Sequence, residues 1–445
     1  MAFSHVLVVF VAVIAAAGFW VMPPRQSIPA HLKGHPLVDV GKDFLSADVV
    51  DGLLQMSRDI GRISTASREY DSYSTLADNI GEATPYNAES KTCPQPLLMA
   101  TSDKKRCILP GRVDVGAHFI RSGGSEAVKE DFPTLVSRVQ PFQSMLFNWS
   151  EYKVADDLMK DPKFLDLAKA VCPKDKQYLD PFQFNLVVQV PGQTVAAHID
   201  APYFRRATRR TLPQWLLAAM VFSGLFREDF IDQVQLVGYY HKWTDTDRGG
   251  KFYFWNDDSA TPHVSDPVTG SANSVDGSKV VHAAALYMPK RKPPTLSKDN
   301  VNELVYIGKD AAAAGGHRWG IEVNGKQQYT YSEDDIRFSA VYRARCFKHK
   351  EDKEKFLQGT EKNPWTVDEV LAVLEKDMKK RGAWPFAADE TTADHPSADD
   401  RYALAMAILD TYVKYPYSPT AVVPFNYCAL DRMYPALKHV LKYVC

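Results

Sequence analysis

From Phe182 the chain changes period: Phe184, Leu186, Val188 and Val190 alternate with Gln183, Asn185, Val187 and Gln189. A period of two sends successive side chains to opposite faces, so this is a strand with one buried face. The stretch runs on through Val190-Pro191-Gly192 to His198-Ile199-Asp200. On a strand that spacing aims an imidazole and a carboxylate from one face, where both can grip one cation, and turns Ile199 away. Further strand-like runs stand at 234–240, 251–255, 279–288 and 337–347, between clusters of Gly, Pro, Asp and Asn. Short strands with irregular connections predict an antiparallel sandwich or barrel.

The flanks read as helical, which makes the fold class α+β. Apolar positions recur at helical spacing over 44–62 (Leu45, Val49, Leu53, Leu54) and 151–170 (Val154, Leu158, Leu165, Leu167). Near the other end Thr366 and Glu369 form a capping box that opens a helix to Arg381, stopped by Gly382. A second helix is expected over 399–415 and a third over 428–445, a buttress that carries no chemistry. The expected organisation is a leader or membrane anchor (1–30), a mainly helical region (31–175), a β-rich domain (176–350) and a helical C-terminal region (351–445).

Residues 6–22 carry no charge and end at Pro23 and Pro24. That length fits a short membrane span or a signal peptide, and either delivers the chain to a membrane. Asn148-Trp149-Ser150 is a glycosylation sequon, and the six cysteines can form three bridges in an oxidising compartment, Cys93 and Cys107 being the best pair. The expected location is the membrane or the secretory pathway, in the lumen of the endoplasmic reticulum or Golgi or outside the cell. Lys plus Arg number 53 against 54 Asp plus Glu, which gives no positive field for coating nucleic acid.

His282 lies 84 residues beyond His198, inside the apolar run Val280, Val281, Ala283. A histidine there needs a partner, either a metal or a satisfied hydrogen bond in the core. His198, Asp200 and His282 together would make a facial triad with open coordination positions. Arg337 and Ser339, again two apart, place a guanidinium and a hydroxyl on one face, which suits a carboxylate. Arg343 and Arg345 share that phase, and the plain alternative for all three arginines is a solvated face.

The order His-x-Asp, then His in an apolar strand, then Arg-x-Ser resembles the Fe(II)/2-oxoglutarate-dependent dioxygenases. Residues from about 182 to 347 look like their double-stranded β-helix, or jelly-roll. Val190-Pro191-Gly192, and Arg248-Gly249-Gly250 leading into Phe252–Trp255, are similar to segments of the prolyl-4-hydroxylase-like branch. The resemblance implies that His198, Asp200 and His282 bind iron and act in catalysis, and that Arg337 holds the distal carboxylate of 2-oxoglutarate with Ser339 beside it. It also implies O2 as cosubstrate, ascorbate as an accessory, and release of succinate and CO2 with hydroxylation of a C–H bond. Because a carboxylate stands at 200, hydroxylation is implied rather than halogenation.

In much of that family the basic residue lies about ten positions beyond the second histidine, whereas Arg337 lies 55 beyond His282. Lys292 has the usual offset but sits in the Pro-rich segment 289–294, which reads as a loop. Residues of about 289–336 are therefore expected to be an insertion, with Arg337 favoured over Lys292. Arg205–Arg210 follows the His-x-Asp closely and can rim the site or be a solvated loop. Tyr203, Tyr240, Trp243 and Trp255 can line a pocket or fill a core. His241, His263 and His317, in polar, turn-like surroundings, are poorer ligands. The substrate, peptidyl or a small molecule, and the oligomeric state are left open. Two rival readings stand: a jelly-roll binding module of the secretory pathway without turnover, and a zinc hydrolase, which leaves Arg337 and Ser339 without a role.

Overall fold

A computed structural model describes residues 27–65, 84–90, 92–95, 97–101, 103–259, 261–395, 397–418, 425–432 and 434–445. The apolar segment 6–22 lies outside the described residues. Among the described residues no helix is long and apolar enough to cross a membrane.

Two antiparallel sheets dominate. The larger has ten strands, in the order Leu37–Val40, Ala272–Val275, Gln233–Tyr239, Arg337–Phe347, Tyr178–Gln189, Phe142–Leu146, Arg62–Thr65, Asn302–Lys309, His317–Val323 and Lys326–Ser332. The smaller has four: His263–Ser265, Phe252–Trp255, Val281–Ala284 and Val195–His198. Every pairing in both is antiparallel, so the mixed α+β class holds.

The strands Tyr178–Gln189 and Arg337–Phe347 pair along their whole length, Arg337 against Gln189 and Ser339 against Val187. One face of this pair (Phe184, Leu186, Val188, Phe338, Ala340, Tyr342) packs on the helices Ala47–Ile60 and Pro162–Lys169 in an apolar core. For the other face the sequence leaves two alternatives, a ligand-binding side carrying Arg337 and Ser339 or a solvated one. It is buried as well: Gln183, Asn185, Gln189, Arg337, Ser339 and Arg343 are all less than a tenth exposed. That polar face looks inward, towards the small sheet.

The small sheet follows the same logic from the other side. Ala197, Ile199, Val281 and Ala283 point into a core built on the wholly buried helix Gln214–Ser223 and the C-terminal helices Val367–Arg381 and Ala398–Tyr412. Alternation therefore sends His198 and His282 to the opposite face. The two histidines are direct cross-strand partners.

Local signals set the helix ends. The Ser46 side chain accepts from the Val49 amide at the start of Ala47–Ile60, and Gly61 closes it in the left-handed conformation. Thr366 and Glu369 form the expected capping box, and Gly382 the expected stop. The helix expected over 151–170 is instead two, Lys153–Lys160 and Pro162–Lys169. Pro162 cannot continue a helix, and Asp161 caps the new one. The tail is not one helix either. Short 3-10 turns at Tyr427–Arg432 and Pro435–Leu437 precede a single turn, Lys438–Leu441. The N-terminal region is less helical than expected, since Leu37–Val40, Arg62–Thr65 and Phe142–Leu146 all join the large sheet. Asn302–Lys309, His317–Val323 and Lys326–Ser332 extend that sheet at one end.

All six cysteines are bridged: Cys93–Cys107, Cys172–Cys346 and Cys428–Cys445. Cys172–Cys346 spans 174 residues and ties the last large-sheet strand to the segment after Pro162–Lys169. Closing so long a loop restricts the unfolded chain strongly. Replacing both cysteines by alanine is expected to lower stability by about 2–4 kcal/mol, read as a shift in the denaturant midpoint.

Candidate metal centre and its cavity

A cavity of about 950 Å³ lies between the sheets and runs out beneath the loop stapled by Cys93–Cys107. His198, Asp200 and His282 converge on its wall, with one ligand atom from each lying within 4.8 Å of the others. The Asp200 Oδ1 is 3.5 Å from His198 Nε2 and 3.8 Å from His282 Nε2. Thus the three residues expected from sequence to meet do meet.

Backbone carbonyls fix which imidazole nitrogens are free. His198 Nδ1 lies 2.7 Å from the Ala196 carbonyl, and His282 Nδ1 lies 2.9 Å from that of Val280. A carbonyl only accepts, so each Nδ1 carries the proton and each Nε2 presents a lone pair towards Asp200. That is the donor set a divalent cation takes: two neutral imidazoles and one carboxylate oxygen. Asp200 Oδ2 is occupied by the Arg343 guanidinium, which leaves Oδ1 for the cation. Gln235 completes the ring of contacts, accepting from Arg343 Nε at 3.1 Å and standing 3.1 Å from His282 Nε2 through its amide nitrogen. A cation on that nitrogen requires the Gln235 amide to turn aside.

Two close approaches make room for these groups. A Cβ on Gly277 would lie 2.3 Å from Asp200 Oδ2 and 3.0 Å from His282 Cε1. Gly250, at φ +68, lies against Arg337, whose Cδ would stand 2.9 Å from an added Cβ.

Burial holds both imidazoles neutral. It pushes His198 down to about 3, helped by the Arg112 charge, and His282 well below its usual value, helped by His198. His118, away from the trio, is pushed down to about 4 by the same cause. Below about pH 6.5 the unfolded chain binds protons that these folded imidazoles refuse. Their contribution is therefore complete above pH 6.5 and is lost as the pH falls below it, towards about 4 for His118 and about 3 for His198. Without added metal, the melting temperature is expected to fall steadily from pH 7 to pH 5, with net proton uptake on unfolding in calorimetry at pH 5.5. Each imidazole can account for about 1.4 kcal/mol per pH unit at most. A flat profile would mean that they are already charged in the fold.

Arg337 lines the same cavity and is 2% exposed. Its Nη1 donates to Gln189 Oε1 at 2.7 Å, and its guanidinium lies 4.9 Å from the Tyr239 ring. Among the described residues no carboxylate pairs with it, and its Nε has no hydrogen-bond partner. The Tyr287 hydroxyl is buried as well, within reach of the Arg248 and Arg337 charges. Desolvation pushes the Arg337 pKa down, as expected of a cation buried without an anion. Ser339 lines the cavity too, but its Oγ donates to the Val187 carbonyl at 2.9 Å and must rotate to donate to a ligand.

The solvated-face alternative fails for all three arginines. Arg343 is buried on Asp200, and Arg345 pairs with Asp180 among the rings of Phe182, Tyr203 and Phe356. Lys292 is exposed and stands outside the cavity lining. Of the basic loop 205–210 only Arg209 reaches the cavity, while Arg206 pairs with Glu369 and lies over Trp365. Tyr203, Tyr240, Trp243 and Trp255 are core residues that do not line it. His241 is buried rather than in a polar turn, stacked on Trp243 at 3.7 Å. The expectation missed Gln189, Gln235, Arg112 and Gly277. The two glutamines sit in plain sight on strands, but alternation alone does not tell a polar face that meets water from one that meets a cavity.

No family model matches this sequence, and no curated protein does. Solved structures similar to it include a Pseudomonas putida prolyl-4-hydroxylase, 13% identical over 70% of this chain and 92% of that one, with a TM-score of 0.31. Another is the viral collagen prolyl hydroxylase of Paramecium Bursaria Chlorella virus-1, as a 2-oxoglutarate complex: 12% identical, over 70% and 96%, with a TM-score of 0.30. A third is a Trichoplax adhaerens prolyl hydroxylase in complex with a peptide fragment of hypoxia inducible factor: 10% identical, over 74% and 90%, with a TM-score of 0.31.

Proposed function

We propose that this chain is an Fe(II)- and 2-oxoglutarate-dependent dioxygenase on a double-stranded β-helix core, hydroxylating a C–H bond of a peptidyl or small-molecule substrate. The observation that supports this best is the pairing of two sites in one cavity: a His198–Asp200–His282 donor set, and a buried guanidinium, Arg337, that has no acid partner among the described residues. A zinc hydrolase has use for the first and none for the second.

In this reading His198 Nε2, His282 Nε2 and Asp200 Oδ1 hold the metal, and Arg337 takes the distal carboxylate of 2-oxoglutarate. Iron bound there supplies activation of O2, coupled to oxidative decarboxylation of 2-oxoglutarate to succinate and CO2. Arg337 sets the cosubstrate's orientation by charge-assisted hydrogen bonds, with Ser339 and Tyr287 beside it to donate. Arg343 holds Asp200 turned, so that one oxygen faces the histidines. The strands close over the cosubstrate end and exclude water, which strengthens each of these interactions. The cavity continues beneath the stapled loop, past Leu97, Leu109 and Val113, and this arm offers room for the group to be hydroxylated.

Three disulfides and the exposed Asn148 support work in an oxidising compartment, with residues 6–22 as leader or anchor. The full chain, incubated with Fe(II), 2-oxoglutarate and ascorbate, is expected to release succinate, and His198→Ala to stop it. No succinate from the intact chain would favour a binding module; succinate from His198→Ala would remove the metal assignment.

A further inference from the structure

We propose that Arg112, locked by Asp114 and Tyr415, is a positioning residue for the metal site, and that it makes the C-terminal segment part of that site. The proposal rests on the reading of His198, Asp200 and His282 as metal ligands.

Asp200 follows Ile199, and the peptide unit between them is gripped at both ends. The Ile199 carbonyl accepts from Arg112 Nη1 at 2.9 Å. The Asp200 amide donates to the Gly277 carbonyl at 2.8 Å. A peptide unit is planar, so holding its oxygen and its nitrogen fixes the position of the Asp200 Cα and the direction of the bond that leads to it, which narrows the room in which the side chain can place its carboxylate. His198 is attached to the same plane through one residue. The relative placement of the two ligands is thus set by Arg112 on one side and by the loop before His282 on the other.

Arg112 is itself held. Its Nε and Nη2 form a fork on Asp114, at 3.1 and 2.8 Å, and Nη2 stands 3.3 Å from the Tyr415 hydroxyl. Tyr415 donates to Asp114 Oδ2 at 2.6 Å, and the Asp114 side chain is fully buried. A planar guanidinium can serve carboxylate and carbonyl together; an ammonium cannot reach both in fixed geometry. Tyr415 lies just beyond the helix Ala398–Tyr412, 215 residues after Asp200 in sequence, so a segment expected only to buttress the fold closes the ring of contacts behind Asp200.

The alternative is a buried ion pair that merely stabilises the fold. Cobalt(II) titration of the full chain, followed by visible absorption, separates the two. Arg112→Lys is expected to weaken Co(II) binding by about tenfold and to alter the band shape; Tyr415→Phe, which removes one hydroxyl, is expected to weaken it severalfold. Arg58→Lys, in the buried Arg58–Glu333 pair of the other core, is the comparison: it lowers the melting temperature but leaves the Co(II) spectrum and affinity unchanged. If Arg112→Lys does not fold, Tyr415→Phe decides alone. Wild-type Co(II) affinity and spectrum in the folded variants would overturn the proposal and leave the metal site standing. Failure of the unaltered chain to bind Co(II) would remove the metal site and this proposal with it.

Discussion

Asp200→Ala is expected to abolish succinate release and, separately, to destabilise the protein without added metal by about 3–5 kcal/mol. The second effect follows from Arg343, whose guanidinium is 7% exposed and pairs with Asp200 Oδ2. Removing one partner of a buried pair leaves a charge with no compensation. Burial and the neighbouring Arg112 charge both push the Arg343 pKa down, so Asp200 is the group that offsets them. The double variant Asp200→Ala/Arg343→Met should therefore recover most of the stability and none of the turnover. Urea denaturation of the three proteins reads the first quantity, and succinate release reads the second, where a loss beyond about a hundredfold exceeds what an outer contact costs. Unchanged stability in the single variant would mean that Arg343 does not depend on Asp200.

Arg337→Met is expected to do the opposite to stability. An arginine buried without an acid is a burden until an anion arrives, so its replacement by an apolar side chain of similar length should leave the ligand-free protein at least as stable as wild type. The same change should weaken 2-oxoglutarate binding by about a hundredfold or more, the usual cost of losing a buried charged contact. Thermal shift against 2-oxoglutarate concentration measures both: wild type gains melting temperature with ligand, and the variant starts no lower and gains little. A variant that is markedly less stable and still binds 2-oxoglutarate would refute the anion site at Arg337.

What could be read from the chain, and what could not, divides along physical lines. The direction of a side chain on a strand depends only on parity, so His198 with Asp200, and Arg337 with Ser339, could be placed on common faces from spacing alone. The apolar neighbours of His282 marked it as buried. The convergence of these strands is a matter of pairing between distant segments, which parity does not carry; it came from the resemblance. Parity also leaves open what each face meets. Parity places Gln183 and Gln189 away from the apolar side without saying what they meet, and for Arg343 and Arg345 it leaves a solvated face standing as the plain alternative. Arg112 and Tyr415 were invisible for another reason: each reaches a segment far off in sequence, Arg112 the Ile199 carbonyl and Tyr415 the Arg112–Asp114 pair, and neither lies in a pattern. Apolar periodicity runs unbroken over 151–170 and so does not show that Pro162 divides the stretch into two helices.

His198 and His282 share their strands with alanines, Ala197 and Ala283, that are 0% and 1% exposed and wedged against helix Gln214–Ser223. One methylene added at either alanine has nowhere to go except into the strand, and the strand can yield only by carrying its imidazole along. In the proposed reading that alanine layer sets the placement of the imidazoles from behind, through residues that never touch the ion.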